Sequence, residues 1–203
     1  QFQAQEIDIL VGTQMLSKGL DFSNVSLVGV LNADNMLNFP DFRAHERSFQ
    51  LMVQVSGRAG RAKKRGKVAI QTFNPYHQIL QQVSTNSFEE MFKEQLQERR
   101  QYHYPPYYRM VKIVLKHRDF TRVDNGMAWL GKALTNVFKE NVLGPTTPAV
   151  ARIRNQYIQN VIIKIPPTQS LKVTKENILR IKNMFQAVKD FRPIKFIVDV
   201  DNY

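Results

Sequence analysis

The chain has 203 residues, room for one large domain or two small ones, and its 43% hydrophobic and 23% charged side chains suit a protein that buries a core. It contains no cysteine, which excludes disulfides and thiolate metal sites within it and fits a reducing cytoplasm; no run approaches the roughly 20 apolar residues of a bilayer span, so no membrane partner is expected. Twenty-nine basic against seventeen acidic residues leave a net +12, which favours a polyanionic partner, a merely soluble basic surface being the alternative.

The charge is uneven: residues 1–75 carry a net +3 and residues 76–203 a net +9. Gln1 is not methionine, and the strand-like run Ile7 to Val11 begins almost at once, so the chain reads as cut from something longer. Gly12 stops that run. Thr13 to Lys18 is polar and helix-compatible, and Ser26 to Leu31 is a continuous apolar run, as expected of a parallel strand covered on both faces. From Asp41 to Ser56, Phe42, His45, Phe49, Met52 and Val53 recur at helical spacing, and Lys67 to Phe73 alternates like a strand. This order is the grammar of a parallel α/β layer.

Residues 76–103 read as one polar helix with an apolar stripe of Phe88, Met91, Phe92 and Leu96, ended by Tyr104-Pro105-Pro106-Tyr107. Beyond it the pattern predicts strand Arg109–Lys116, helix Phe120–Lys139, strands Ala149–Arg154 and Tyr157–Ile165, helix Lys175–Lys189 and strand Ile194–Val200. That order, βαββαβ, is the split arrangement of a ferredoxin-like sandwich. The expected division is 1–83, a linking helix over 84–104, and an α+β domain over 105–203.

Two segments carry chemistry. Gly12-Thr13, at a strand-to-turn junction, suits presenting backbone N–H groups and a hydroxyl to phosphate; Gly19-Leu20-Asp21 offers a carboxylate for a ribose hydroxyl or an arginine. A turn glycine with a capping aspartate explains either piece as well. In Gln54-Val55-Ser56-Gly57-Arg58-Ala59-Gly60-Arg61, two arginines project from one glycine-flanked bend. Guanidinium is permanently charged and meets phosphate oxygens bidentately, which suits stabilising charge on a transferring γ-phosphoryl group. Alone, the segment reads more readily as a solvated basic turn.

In this order and on these elements, the two segments resemble the fifth and sixth motifs of superfamily 2 helicases. ILVGTQMLSKGLDFSNVSLVGVLNAD and PDFRAHERSFQLMVQVSGRAGR resemble most the primosomal replication-restart helicases, the PriA or primosomal protein N′ family. The likeness continues through Glu98-Arg99, Tyr104 to Tyr107, Leu143-Gly144-Pro145 and Val198 to Asp201, covering essentially the whole chain. It implies a partial RecA-like second helicase lobe holding both motifs, followed by the ferredoxin-like domain.

By that resemblance Arg58 and Arg61 would reach the γ-phosphate, with Gln54 positioning them. Asp21, Gly19 and Gly57 would belong to the ATP site, Thr13 and Gln14 would face the DNA backbone or couple it to the nucleotide site, and Lys18 would bind DNA. The implied parent is an ATP-dependent 3′–5′ DNA helicase that restarts replication, needs ATP and Mg2+, and works with forked and single-stranded DNA, single-stranded DNA-binding protein and other primosome proteins. The phosphate loop, the acidic metal motif and the zinc-binding cysteines of the family are absent here and are expected upstream of Gln1, so this chain alone is expected to be inactive and to bind no cofactor strongly.

Other candidates have two readings each. The run Arg58, Arg61, Lys63, Lys64, Arg65, Lys67 meets phosphate or is a solvated turn. His45 and His77 lack metal-ligand spacing, and His103 reads as surface packing. Tyr102, Tyr104, Tyr107 and Tyr108 beside Arg99, Arg100 and Arg109 either stack bases or pack between domains. Arg152 and Arg154, alternating on a strand, meet DNA, meet an acidic peptide, or lie in solvent. Family members often alternate aromatic and basic residues near 155–160, whereas Gln156-Tyr157-Ile158-Gln159-Asn160 is mostly neutral. Two rivals stand beside the motor: a non-catalytic nucleic-acid module, though without the aromatic signature of an RRM, and a platform for an acidic tail.

Overall fold

The computed structural model describes residues 1–2, 4, 6–13, 25–57, 59 and 66–200. They form two compact units, Gln1–Glu98 and Arg99–Tyr203.

In the first unit, β1 (Leu27–Val30) and β2 (Lys67–Ile70) pair in parallel, Leu27 opposite Lys67 and Val30 opposite Ile70. Between them lie a single turn, α1 (Asp34–Leu37), and the longer α2 (Ala44–Ser56). Phe49 and Met52, three residues apart and therefore on one helix face, sink into a small core with Leu37, Ile79, Leu80, Val83 and Met91. Asp41 organises the start of α2: its carboxylate accepts the Arg43 N–H at 2.8 Å and pairs with the Arg47 guanidinium at 3.1 Å. The helix therefore begins three residues later than its apolar spacing predicts. Asp34 ties β1 to β2 by accepting the Phe73 N–H at 3.0 Å and the Thr72 hydroxyl at 2.9 Å, and the Phe73 amide holds its carboxyl below the usual range.

Two expectations here need correction. Ile7 to Val11 is not a strand; Ile9 and Val11 are 79% and 82% exposed. Among the described residues no ladder bond reaches this segment, and an apolar run becomes a covered parallel strand only with neighbours beside it. Residues 76–103 form two helices, α3 (Gln78–Thr85) and α4 (Phe88–Gln101). Asn86, with φ 53°, takes the left-handed conformation that ends a helix. Of the predicted stripe only Met91 is buried; Phe88 and Phe92 stack at 6.0 Å and stay about half exposed.

The second unit follows the expected βαββαβ order with one short extra strand between the helices. It comprises β3 (Arg109–His117), α5 (Phe120–Phe138), β4 (Val142–Thr146), β5 (Arg152–Ile153), β6 (Gln156–Ile165), α6 (Leu171–Ala187) and β7 (Lys195–Val200). The sheet order is β4-β6-β3-β7, every pair antiparallel, with β5 joined to β6 as a hairpin. First and third strands lie side by side at the centre, as a split βαβ requires. Val111, Ile113 and Leu115 of β3 and Val161, Ile163 and Ile165 of β6 alternate onto the face covered by α5 and α6, where they meet Met127, Leu130, Leu134, Ile181 and Phe185.

The second strand of this unit is misplaced by the sequence pattern. Ala149–Arg154 yields only Arg152–Ile153, while the strand that pairs along β6 is β4, containing Gly144-Pro145. Proline cannot donate to a ladder, but β4 is an edge strand and its register shifts between Leu143 and Thr146, so the missing donor costs nothing.

Candidate nucleotide and nucleic-acid sites

The end of α2 is the first place of interest. Its buried residues anchor one face, and Gln54 emerges on the exposed face opposite Met52. Gly57 caps the helix, its N–H bonding to the Val53 carbonyl at 3.0 Å, and the Ala59 N–H closes a further turn onto Ser56 at 3.2 Å. The Ser56 hydroxyl folds back on the Met52 carbonyl at 2.7 Å. Gly57 has φ −67°, a value any residue adopts, and a Cβ there would meet only the Val53 and Gln54 carbonyls at 3.6 Å. An unusual backbone angle is therefore not what calls for glycine at this bend.

Thr13 is exposed. Arg58, Arg61, Gln14, Lys18, Gly19 and Asp21 lie outside the described residues, as do Lys63, Lys64 and Arg65, so the structure brings together Gln54 and Gly57 only. The two arginines follow directly from this exposed helix end along the chain.

Beside α2, a polar pocket of about 410 Å³ is lined by His45, Tyr76, His77, Glu94 and Glu98 among others. The two imidazoles meet edge to face at 5.4 Å, and Glu94 accepts amide N–H groups from Gln78 and Gln82, both at 2.6 Å. His77 also caps α3 by accepting the Ile79 N–H at 3.2 Å on Nδ1. Burial holds its pKa below 6.5; nearby His45 adds to the depression and Asp34 opposes it. Among the described residues no three His, Asp or Glu side chains are grouped to hold a metal ion.

In the second unit two rings of the tyrosine cluster, Tyr104 and Tyr108, make intramolecular contacts, while Tyr102 is exposed. His103 stacks on Tyr108 at 4.4 Å, and the Lys164 ammonium lies 3.7 Å from the centre of the Tyr104 ring while donating to the Tyr102 carbonyl at 2.5 Å. Burial lowers the Lys164 pKa, and the sequence pattern gave no hint of this buried lysine, which sits on a central strand on the face opposite the helices. Arg152 and Arg154 are exposed on the β5–β6 hairpin. A groove of about 520 Å³ runs between α6 and the β3–β7 edge, with Val111, Ile178 and Val198 in its floor and Arg109, Lys175 and Lys182 at its rim. Sequence reasoning missed this groove because its walls come from residues far apart along the chain. No helix among the described residues is long and apolar enough to cross a membrane.

Comparison with known proteins divides the chain at a similar place. Residues 100–203 match the primosomal protein N C-terminal domain, and residues 1–63 match the helicase conserved C-terminal domain. Replication restart protein PriA of Bacillus subtilis (strain 168) is 40% identical over 184 residues, spanning 88% of this chain and 22% of that protein. The PriA of a Synechocystis species is 35% identical over 204 residues, or 99% of this chain and 23% of its own length. That of Borreliella burgdorferi is 30% identical over 203 residues, 97% and 31% respectively. The chain thus spans between a fifth and a third of the curated relatives it matches. With its βαββαβ unit matched from end to end and a helicase segment before it, this chain belongs to the PriA replication-restart family.

Proposed function

We propose that this chain is the C-terminal part of an ATP-dependent 3′–5′ DNA helicase acting in replication restart, supplying two arginine fingers and a surface for DNA and primosome partners. The observation that carries the reading is the end of α2. A helix fixed by Phe49 and Met52 presents Gln54 and Gly57, both exposed, and Arg58 and Arg61 come next in the chain. An arginine finger works only if its carrier is held rigidly and its tip is free to meet a phosphate. The match of residues 1–63 to a helicase C-terminal domain supports the same reading. Thr13, Gln14 and Lys18 would track the DNA backbone, and Asp21 and Gly19 would lie by the nucleotide.

ATP and Mg2+ are the substrate and metal of the proposed reaction; in it this chain's residues bind and stabilise phosphate charge, and the metal falls to acidic residues elsewhere in the protein. The chain has no cysteine, so zinc, too, would be held by other residues. Arg58→Ala and Arg61→Ala in the full-length protein are each expected to lower DNA-stimulated kcat for ATP roughly 10³-fold or more, with DNA binding retained. Near-normal turnover in both would remove the assignment. The chain Gln1–Tyr203 alone is expected to hydrolyse ATP no faster than background.

One observation favours a second activity in the second unit. The groove beside α6 sets an apolar floor within a rim of Arg109, Lys175 and Lys182, which suits an acidic peptide carrying an apolar side chain. Single-stranded DNA-binding protein, with an acidic tail, is the proposed occupant. Lys175→Glu together with Lys182→Glu is expected to weaken binding of such a tail peptide at least tenfold; unchanged binding would remove the groove from the account.

A further inference from the structure

We propose that the β5–β6 hairpin and the adjoining β3–α5 turn form a surface for single-stranded DNA, with Phe120 stacking an unpaired base and Arg152 and Arg154 meeting the flanking phosphates. The inference rests on the DNA-binding reading above and gives it a place and a ligand class.

The hairpin is built tightly. Ile153 pairs with Gln156 and Arg152 with Tyr157, leaving a two-residue loop, Arg154-Asn155. Both residues have positive φ, 49° and 61°, the type I′ turn that suits the twist of paired strands. Asparagine takes this conformation readily, and Asn155 also accepts a hydrogen bond from the Arg152 guanidinium. Arginine has no such compensation. Arg154 is thus held in a backbone well that asparagine or glycine would occupy more comfortably, and strain retained at an exposed tip points to a use for the side chain.

Behind the tip stands a ladder of flat groups. The Arg152 guanidinium lies 4.9 Å from the centre of the Tyr157 ring, and Tyr157 meets Phe120 edge to face at 5.5 Å. Phe120 ends the ladder and is 50% exposed at the first turn of α5. Aromatic rings in such a position accept a base on the open face, whatever the base, and Arg beside them supplies the phosphate contact.

Charge agrees. Arg118, Arg122, Arg152 and Arg154 cluster along these two connections, and among the described residues none is ion-paired. The two carboxylates of the same region are engaged with neutral groups, Asp119 accepting the Arg122 N–H at 3.1 Å and Asp124 the Gln159 amide at 2.9 Å. An acidic peptide would use the arginines but leave the open aromatic face without a partner. A duplex offers phosphates but no free base. A single strand uses both.

The test is fluorescence anisotropy on the whole chain, with a labelled oligothymidylate, a blunt duplex and an acidic peptide, each titrated across salt. Arg154→Asn is expected to keep or raise Tm while weakening oligothymidylate binding several-fold and flattening its log–log salt slope by about 0.7. Phe120→Ala is expected to lose about 5- to 100-fold on oligothymidylate with duplex binding unchanged, and Phe120→Leu, which keeps apolar bulk at the same site, to behave alike with Tm preserved. If wild type binds DNA and these variants bind it equally well, the hairpin surface is wrong and the broader reading stands. If wild type binds no DNA, the broader reading falls with it. Equal losses on single strand and duplex, or losses confined to the acidic peptide, overturn the inference.

Discussion

The two units bury their chains in opposite ways. Among the described residues, the first packs eight core residues around a two-stranded parallel sheet whose strands alternate exposed and half-buried, leaving Leu27 60% and Leu31 74% exposed. The second packs fifteen around an antiparallel sheet covered on one face by two helices. A parallel sheet needs cover on both faces, whereas an antiparallel one tolerates solvent on its second. The lesson is that the second unit carries its stability within itself, while the first displays apolar strand surface of the kind a neighbouring layer would cover. That division is compatible with the proposed role, in which the α2 end meets a second body.

Trp129 gives a way to test this contrast, because the single tryptophan packs against Phe185 and Phe191 in the second unit and reports on that unit alone. The largest effect is expected from Phe185→Ala, which opens a cavity where the side chain is fully buried. About 3–5 kcal/mol should be lost, read from the urea transition of Trp129 fluorescence. Next comes Met52→Ala in the first unit, about 2–5 kcal/mol, which should shift the helical circular-dichroism transition and leave the Trp129 transition in place. Coincident shifts in both signals would make the chain one cooperative body and break the comparison. Smallest is a pH effect at His77. Its folded pKa lies below 6.5, so the unfolded chain takes the proton first, and stability present above that value is lost as pH falls through the depressed folded one. Protonation also removes the Nδ1 lone pair that caps α3, within a pocket shared with His45, Glu94 and Glu98 and near Asp34. Acidification from pH 7 to 5 should therefore lower the first unit's transition, and His77→Gln should abolish most of that drop; an unchanged pH profile in the variant would refute the cap.

Much of the fold was readable because apolar periodicity and burial coincide. Val111, Ile113 and Leu115 alternate on β3, and Phe49 and Met52 share a helix face, as their spacing requires. Where the reading failed, a local feature outweighed the pattern. Asn86 broke a helix whose polar composition showed no boundary, and β4 was hidden because glycine and proline mark turns unless the strand lies at an edge. Of the candidate site residues, Gln54 and Gly57 stand together in a compact motif at the end of α2, and their roles belong to the proposal. The Arg152–Tyr157–Phe120 ladder was not legible in the sequence, because Phe120 is separated from Tyr157 by a helix and two strands, and only the sheet register unites them.

The split topology has one more consequence. Because the last strand pairs beside the first, with Val200 opposite Val111, the path into the βαββαβ unit and the path out of it share one corner. Such a unit can be appended, inserted or circularly permuted without threading chain across its core, since a short bridge could join the two strand ends. A module attached at a single corner is also free to be exchanged between larger proteins, while its hairpin and groove travel with it intact.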